Sequence, residues 1–370
     1  MAGSTRMLTW ETPTGRLFIN FTVGVLLGFV LTHVGLKLYD LGIVDKFHVS
    51  VLDRKSLLLL TNNHGDEDQA EAEANDDAEG SHGRITNSDY IVLGKDALSH
   101  WMSQKIRILC WIMTHPGNLQ TKAIHVNATW VKRCSTVLFM SSENTDFPTI
   151  AVVDHEGRDH LWRKTRGAFE YISKHYLDKA DWFLKADDDT YVIMENVRKL
   201  VSLYDPEKPI FFGRRFKSFG RKYTSGGAGY VLSRKAVKLL TEDAFKDTKL
   251  CKSATHVGYP EDVEIGRCLK NVGVETGDSR TDIYETFHPF IPEHMLVPSS
   301  LLKKYRWYYS LNFYPVQKGP KCCSDYSISF HYVTPDMMYW LEYMVYQMRP
   351  FGVGYHTCPS NIRTMIEPPS

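Results

Sequence analysis

The sequence predicts an α/β domain with an open, largely parallel sheet and flanking helices, preceded by one membrane-spanning helix and a disordered stem. Three observations carry this. Short apolar runs alternate with amphipathic stretches between Ile106 and Leu184, the pattern of strands joined by crossover helices. A run from Leu17 to Leu36 is interrupted only by Asn20, Thr22, Thr32 and His33 among its apolar and small residues, and about twenty such residues span a bilayer as a helix. From Asn62 to Gly83 there are eight acidic residues and no Lys or Arg, and so charged a stretch cannot bury enough apolar surface to order itself.

In chain order, residues 1–16 read as a cytosolic tail and 17–37 as an uncleaved signal anchor. The run leads straight into Lys37-Leu38-Tyr39-Asp40 without a small-residue cleavage site. Residues 38–88 form the stem, acidic and disordered around 62–83, and act as a flexible spacer. A folded domain occupies 89–358, and 359–370 is a C-terminal tail. The net charge of +1 argues against a nucleic-acid partner held by charge.

Within the folded domain, Ile106–Thr114 reads as a buried strand ending in the turn His115-Pro116-Gly117. Lys122–Lys132 reads as a helix, Ser135–Met140 as a strand, Leu161–Tyr176 as an amphipathic helix and Trp182–Leu184 as a third strand. That third strand runs into Asp187-Asp188-Asp189 and then Thr190-Tyr191-Val192-Ile193. Three carboxylates at one strand end repel each other, and burying an unpaired one is costly. An acidic turn in water would relieve them, but the apolar residues on both sides exclude a solvated tail. A divalent cation among them relieves them too, and all-oxygen ligation suits Mg or Mn. In open α/β sheets ligands sit beyond the carboxyl ends of the strands, where this triplet falls.

Seven cysteines, without a Cys-x-x-Cys or Cys/His zinc spacing, fit a disulfide framework in an oxidising compartment with one thiol left over. Proximity to sheet elements pairs Cys110 with Cys134 and Cys251 with Cys268; Cys322 and Cys323 form a vicinal bridge, leaving Cys358. Asn127-Ala128-Thr129 is an N-glycosylation sequon and agrees with a lumenal location.

The segments DWFLKADDDTYV, GRDHLWRKTRGAF, FFGRRFK, SGGAGYVLSRKA, YPEDVEIGRCL, TFHPFIPEHML and CCSDYSISFHYV, in about residues 90 to 350, resemble the fringe-related inverting glycosyltransferases. The resemblance implies a nucleotide-sugar-binding fold of the GT-A type. It implies transfer of galactose from UDP-galactose, in β1,3 linkage, to GalNAc on Ser/Thr of glycoproteins. It also implies an Mn cofactor and a single-pass type II protein of the Golgi membrane with its catalytic domain in the lumen. A homodimer and a dedicated chaperone are further partners that it leaves open. A related enzyme of different sugar specificity and a non-catalytic chaperone homologue are the alternatives, the latter disfavoured by the intact triplet, Asp262 and His331.

Carried over residue by residue, the resemblance assigns Asp187, Asp189 and His331 to the metal. His331 lies in the alternating stretch Ser327–Val333 and could face the cleft, and the resemblance is what prefers it over His288 and His294. A lone strand histidine is otherwise more often a satisfied core residue. Asp188 then faces the nucleotide sugar or its ribose. Asp262 is the general base that takes the acceptor proton; capping the helix that starts there is the other use of an acid at that place. Met113, Glu156, Gly157, Arg158 and Lys164 are assigned to the nucleotide sugar, with Arg158 and Lys164 offsetting diphosphate charge or forming surface salt bridges. Trp307, Tyr332, Gly226 and Gly227 are assigned to the acceptor, although Tyr332 needs a bend or a strand end to share a side with His331.

Overall fold

The computed structural model describes residues 97–218, 220–297 and 305–349. The anchor, the stem, Cys358 and the C-terminal tail lie outside the described residues, and no helix among those described is long and apolar enough to cross a membrane.

Helix α1 (Ala97–Lys105) leads into β1 (Ile108–Met113), all six of whose residues are buried. Alternation along a strand explains how one run serves two faces. Ile108, Cys110 and Ile112 join one apolar cluster, and Leu109, Trp111 and Met113 join another on the opposite side. A helical segment follows, made of a wide turn (Leu119–Ala123) and the short α2 (Ile124–Ala128). Then come β2 (Thr136–Ser141), β3 (Thr149–Ala151) and α3 (Leu161–Tyr176), the last at the bounds the periodicity predicts. Trp162, Thr165, Ala168, Phe169 and Ile172 recur at helical spacing and face the sheet, where Phe169 meets Trp111 edge-on at 5.4 Å. Fully burying one such side chain contributes about 1.5–3 kcal/mol.

Strand β4 (Trp182–Asp187) is longer than the sequence suggests, because Lys185 is buried within it. It is followed by β5 (Tyr191–Val192), α4 (Met194–Val201), β6 (Ile210–Gly213), a hairpin of β7 (Arg215–Ser218) and β8 (Arg221–Thr224), β9 (Tyr230–Ser233) and α5 (Arg234–Glu242). Then come α6 (Glu261–Asn271), β10 (Glu275–Thr276), β11 (Phe287–His288), α7 (Pro292–Leu296), α8 (Arg306–Leu311), β12 (Ser329–Phe330) and α9 (Pro335–Tyr346). The main sheet has the order β10-β6-β9-β4-β1-β2-β3. It is parallel apart from β9, which runs antiparallel to both β4 and β6.

A smaller sheet, β11-β12-β5, builds on the end of β4. The stretch around His331 is not the regular strand its alternation suggests: β12 stops at Phe330, and Tyr332 takes φ 60°, a left-handed backbone that costs a non-glycine residue energy. The predicted disulfides Cys110–Cys134, Cys251–Cys268 and Cys322–Cys323 are all present. The sequon residue Asn127 is exposed on α2.

Candidate active site

The site lies where the carboxyl ends of β1 and β4 meet the small sheet. Met113 pairs with Asp187 across the strands, and its carbonyl accepts from the Asp188 N–H at 3.2 Å. Asp188 turns inward and is almost fully buried. One of its oxygens accepts from Thr114 Oγ1 and Asn118 Nδ2, both at 2.8 Å. Burial raises its carboxyl above the ordinary aspartate value, and those two donors only partly offset this.

Asp187 and Asp189 turn toward His331. Antiparallel pairing of Phe330 with Tyr191 aligns the ends of β12 and β5, and the Val333 N–H donates to the Asp189 carbonyl at 2.9 Å. These contacts set His331 Nε2 at 3.2 Å from Asp189 Oδ1 and 3.6 Å from Asp187 Oδ2. Burial alone would raise Asp189, but His331 and Lys122, the latter at 3.0 Å, outweigh it and hold the carboxyl near 2. One ligand atom from each of Asp187, Asp189 and His331 lies within 4.8 Å of the others. Adjacent ligands of an octahedral ion with bonds of about 2.1 Å are about 3 Å apart. Two oxygens and an imidazole nitrogen at this spacing fit a divalent ion of the Mn class.

The glycine run 226–229 forms the floor, and three elements hold its carbonyls. Lys185 Nζ donates to Gly226 O at 3.0 Å, Thr190 Oγ1 to Gly227 O at 2.8 Å and Ser329 Oγ to Ala228 O at 2.5 Å. A Cβ on Gly227 would lie 2.1 Å from the His331 ring, and one on Gly226 would lie 2.7 Å from Glu261 Oε2. The close approach these glycines allow is therefore to the protein's own side chains.

Asp262 sits in the first turn of α6, which explains its fixed position. Its Oδ1 accepts from the Val263 N–H at 2.9 Å and its Oδ2 from the Gly226 N–H at 3.3 Å. Burial raises its carboxyl, against the lowering effect of those two amides and Lys185. Glu261 beside it is buried and accepts from Tyr230 OH at 2.6 Å and Thr165 Oγ1 at 3.1 Å.

Of the donor-side assignments, Met113 ends β1, and Lys164 and Glu156 meet beside it. Lys164 is 2% exposed, and its ammonium forms a buried salt bridge with Glu156 and donates, at 2.7 Å, to the Thr114 carbonyl. Glu156 Oε1 is buried with no hydrogen-bond partner. Gly157 takes φ 120°, and Arg158 is exposed. On the other side, Trp307 is 44% exposed on α8 against Phe290 and Phe216, while its neighbour Tyr308 is the core residue. The bend at Tyr332 leaves its ring half exposed and stacked at 3.9 Å on His331. His288 is buried, bonded to Ser327 and stacked on Phe330, so it takes the core role.

Sequence reasoning missed Lys185, Lys122, Thr114, Asn118 and Tyr230. Lys185 did leave a signal, as the only charge in the apolar run Trp182–Ala186, two residues before Asp187. The others come together only through sheet order.

The family model described as Fringe-like matches residues 120–331, and the chain belongs to that family. Among individual proteins, it is 51% identical over 267 residues to glycoprotein-N-acetylgalactosamine 3-beta-galactosyltransferase 1 of Xenopus laevis, covering 71% of this chain and 73% of that protein. It is 30% identical over 155 residues to the beta-1,3-glucosyltransferase of Mus musculus, covering 40% of this chain and 30% of that one. A solved glycosyltransferase involved in glycosylation of the major capsid of PBCV-1 aligns with TM-score 0.26 at 15% identity, over 38% of this chain and 69% of that one. That likeness is too slight to bear on the fold.

Proposed function

We propose that the chain is an inverting galactosyltransferase that moves galactose from UDP-galactose in β1,3 linkage onto GalNAc attached to Ser or Thr of glycoproteins. The observation that carries this reading is the 51% identity to a galactosyltransferase named for that acceptor. The site supports it with residues for each task.

Asp187, Asp189 and His331 would hold Mn, which when bound supplies Lewis-acid stabilisation of a departing diphosphate. Asp262 accepts the proton of the acceptor hydroxyl; the amides of Gly226 and Val263 aim its carboxylate, and burial makes it a stronger base than a solvated aspartate. Glu156, Gly157, Arg158 and Lys164 receive the nucleotide, next to the Asp188 turn. Trp307 and Tyr332 offer exposed aromatic faces to the acceptor sugar. The domain works in the Golgi lumen, tethered by residues 17–37 through the stem. The disulfides and the exposed sequon support that compartment.

The test offers several UDP-sugars with a GalNAc-peptide, with and without chelator. Galactose transfer that needs a divalent ion is the expected result. A preference for another sugar would move the chain to a different specificity, and no transfer with any donor would overturn the enzymatic reading.

A further inference from the structure

Lys185 has no part in the scheme above, yet its ammonium touches both Asp187 and the Gly226 carbonyl. It is 2% exposed in the interior of β4, opposite Trp111 on one side and Tyr230 on the other. A lysine is almost never buried this deeply without partners. Its partners belong to both halves of the site. Nζ lies 2.5 Å from Asp187 Oδ1, which shares its strand face two residues on. It also donates to Gly226 O at 3.0 Å, and the N–H of that same glycine donates to Asp262 Oδ2.

We propose that Lys185 is a positioning residue that fixes Asp187 and the base Asp262 in a common frame through the Gly226 peptide. By taking Asp187 Oδ1, it leaves Oδ2 directed at His331. By holding the Gly226 carbonyl, it sets the plane of the peptide group whose neighbouring N–H aims Asp262. Beyond Asp187, the carboxylates of Glu261 and Asp262 on α6 lie within electrostatic reach of its ammonium. One buried cation thus serves three carboxylates drawn from β4 and α6. A neutral side chain there would leave them mutually repelling, and Asp262 would lose an attraction that favours its ionised form. The titratable groups that bear on Asp262 are Lys185 on β4, Glu261 on its own helix, Tyr223 on β8 and Tyr230 on β9. Lys185 is the cation among them.

This inference rests on the galactosyltransferase reading for its kinetic arm but not for its spectroscopic one. Lys185→Met keeps length and apolar fit while removing the charge and both hydrogen bonds. In metal-free protein, the Gly226 amide resonance reports the titration of Asp262, and its midpoint should rise by about one pH unit in the variant. With metal and substrates present, kcat should fall by about 10- to 100-fold, while the KM for GalNAc-peptide stays within about twofold of the parent. A folded variant with the parental midpoint and parental kcat overturns the proposal. So does a fall in kcat without a midpoint shift, which would make Lys185 a support for Asp187 alone. If the methionine variant does not fold, Lys185→Gln, which keeps a donor for Gly226 O, takes its place with the same two readouts. Failure of both to fold makes Lys185 a structural residue and ends the proposal. A parent without galactosyl transfer would sink the functional reading, while the midpoint shift would still decide the link between Lys185 and Asp262.

Discussion

At the scale of single residues, the proposed base Asp262 and the floor beneath the proposed ligand His331 make the sharpest predictions. Asp262→Asn removes the proposed proton acceptor but keeps size, so transfer should fall by about 10²–10⁴-fold. Calorimetry should find UDP affinity unchanged; an equal loss of UDP binding would make Asp262 a donor ligand or a helix cap. Because burial raises the Asp262 carboxyl, and only its ionised form accepts a proton, kcat/KM should decline as pH falls through that raised value. The acid limb should therefore lie above the ordinary aspartate range, and a limb at the ordinary position would contradict the burial account. Gly227→Ala would drive a methyl into the His331 ring and should abolish activation by Mn while leaving the fold intact by circular dichroism. The triplet, Asp262 and His331 were legible as residues because their motifs are long and ordered. Lys122 and Tyr230 were not, because a lysine on a helical segment and a tyrosine on a strand each have a common structural use.

Among elements, the helices and central strands were readable because period and burial agree: α3 falls at its predicted bounds and β1 within its predicted run. The small sheet was not, since its strands are two residues long and exist through pairing rather than propensity. The bend at Tyr332 also broke the alternation that had suggested a regular strand. The bridge between Cys110, in the middle of β1, and Cys134, just before β2, ties two neighbouring strands across the intervening segment, which carries Asn118 and Lys122. Replacing both cysteines by serine should lower stability by about 2–4 kcal/mol, measured by denaturant unfolding. An unchanged midpoint would show that sheet pairing alone holds this region.

For the whole molecule, the proposal separates tethering from catalysis. A secreted fragment starting at Asp89 should transfer galactose with the kcat of the full chain, and chelation should silence both; a fragment that folds but is inactive would give the stem a catalytic role. One feature of the site also bears on how the chain is made. The acidic triplet is synthesised long before His331, which directly follows β12, with β6 to β11 in between. The side chains that partner the triplet in the meantime, Lys122 and Lys185 by charge and Thr114 and Asn118 by hydrogen bonds, all leave the ribosome ahead of it. A nascent chain can therefore close the parallel half of the sheet with its carboxylates already partnered, without capturing a metal ion. On the proposed metal role, His331 is the last of the three ligands to be made, so tight metal binding would report completed synthesis, and a chain stopped short of His331 would lack the full ligand set.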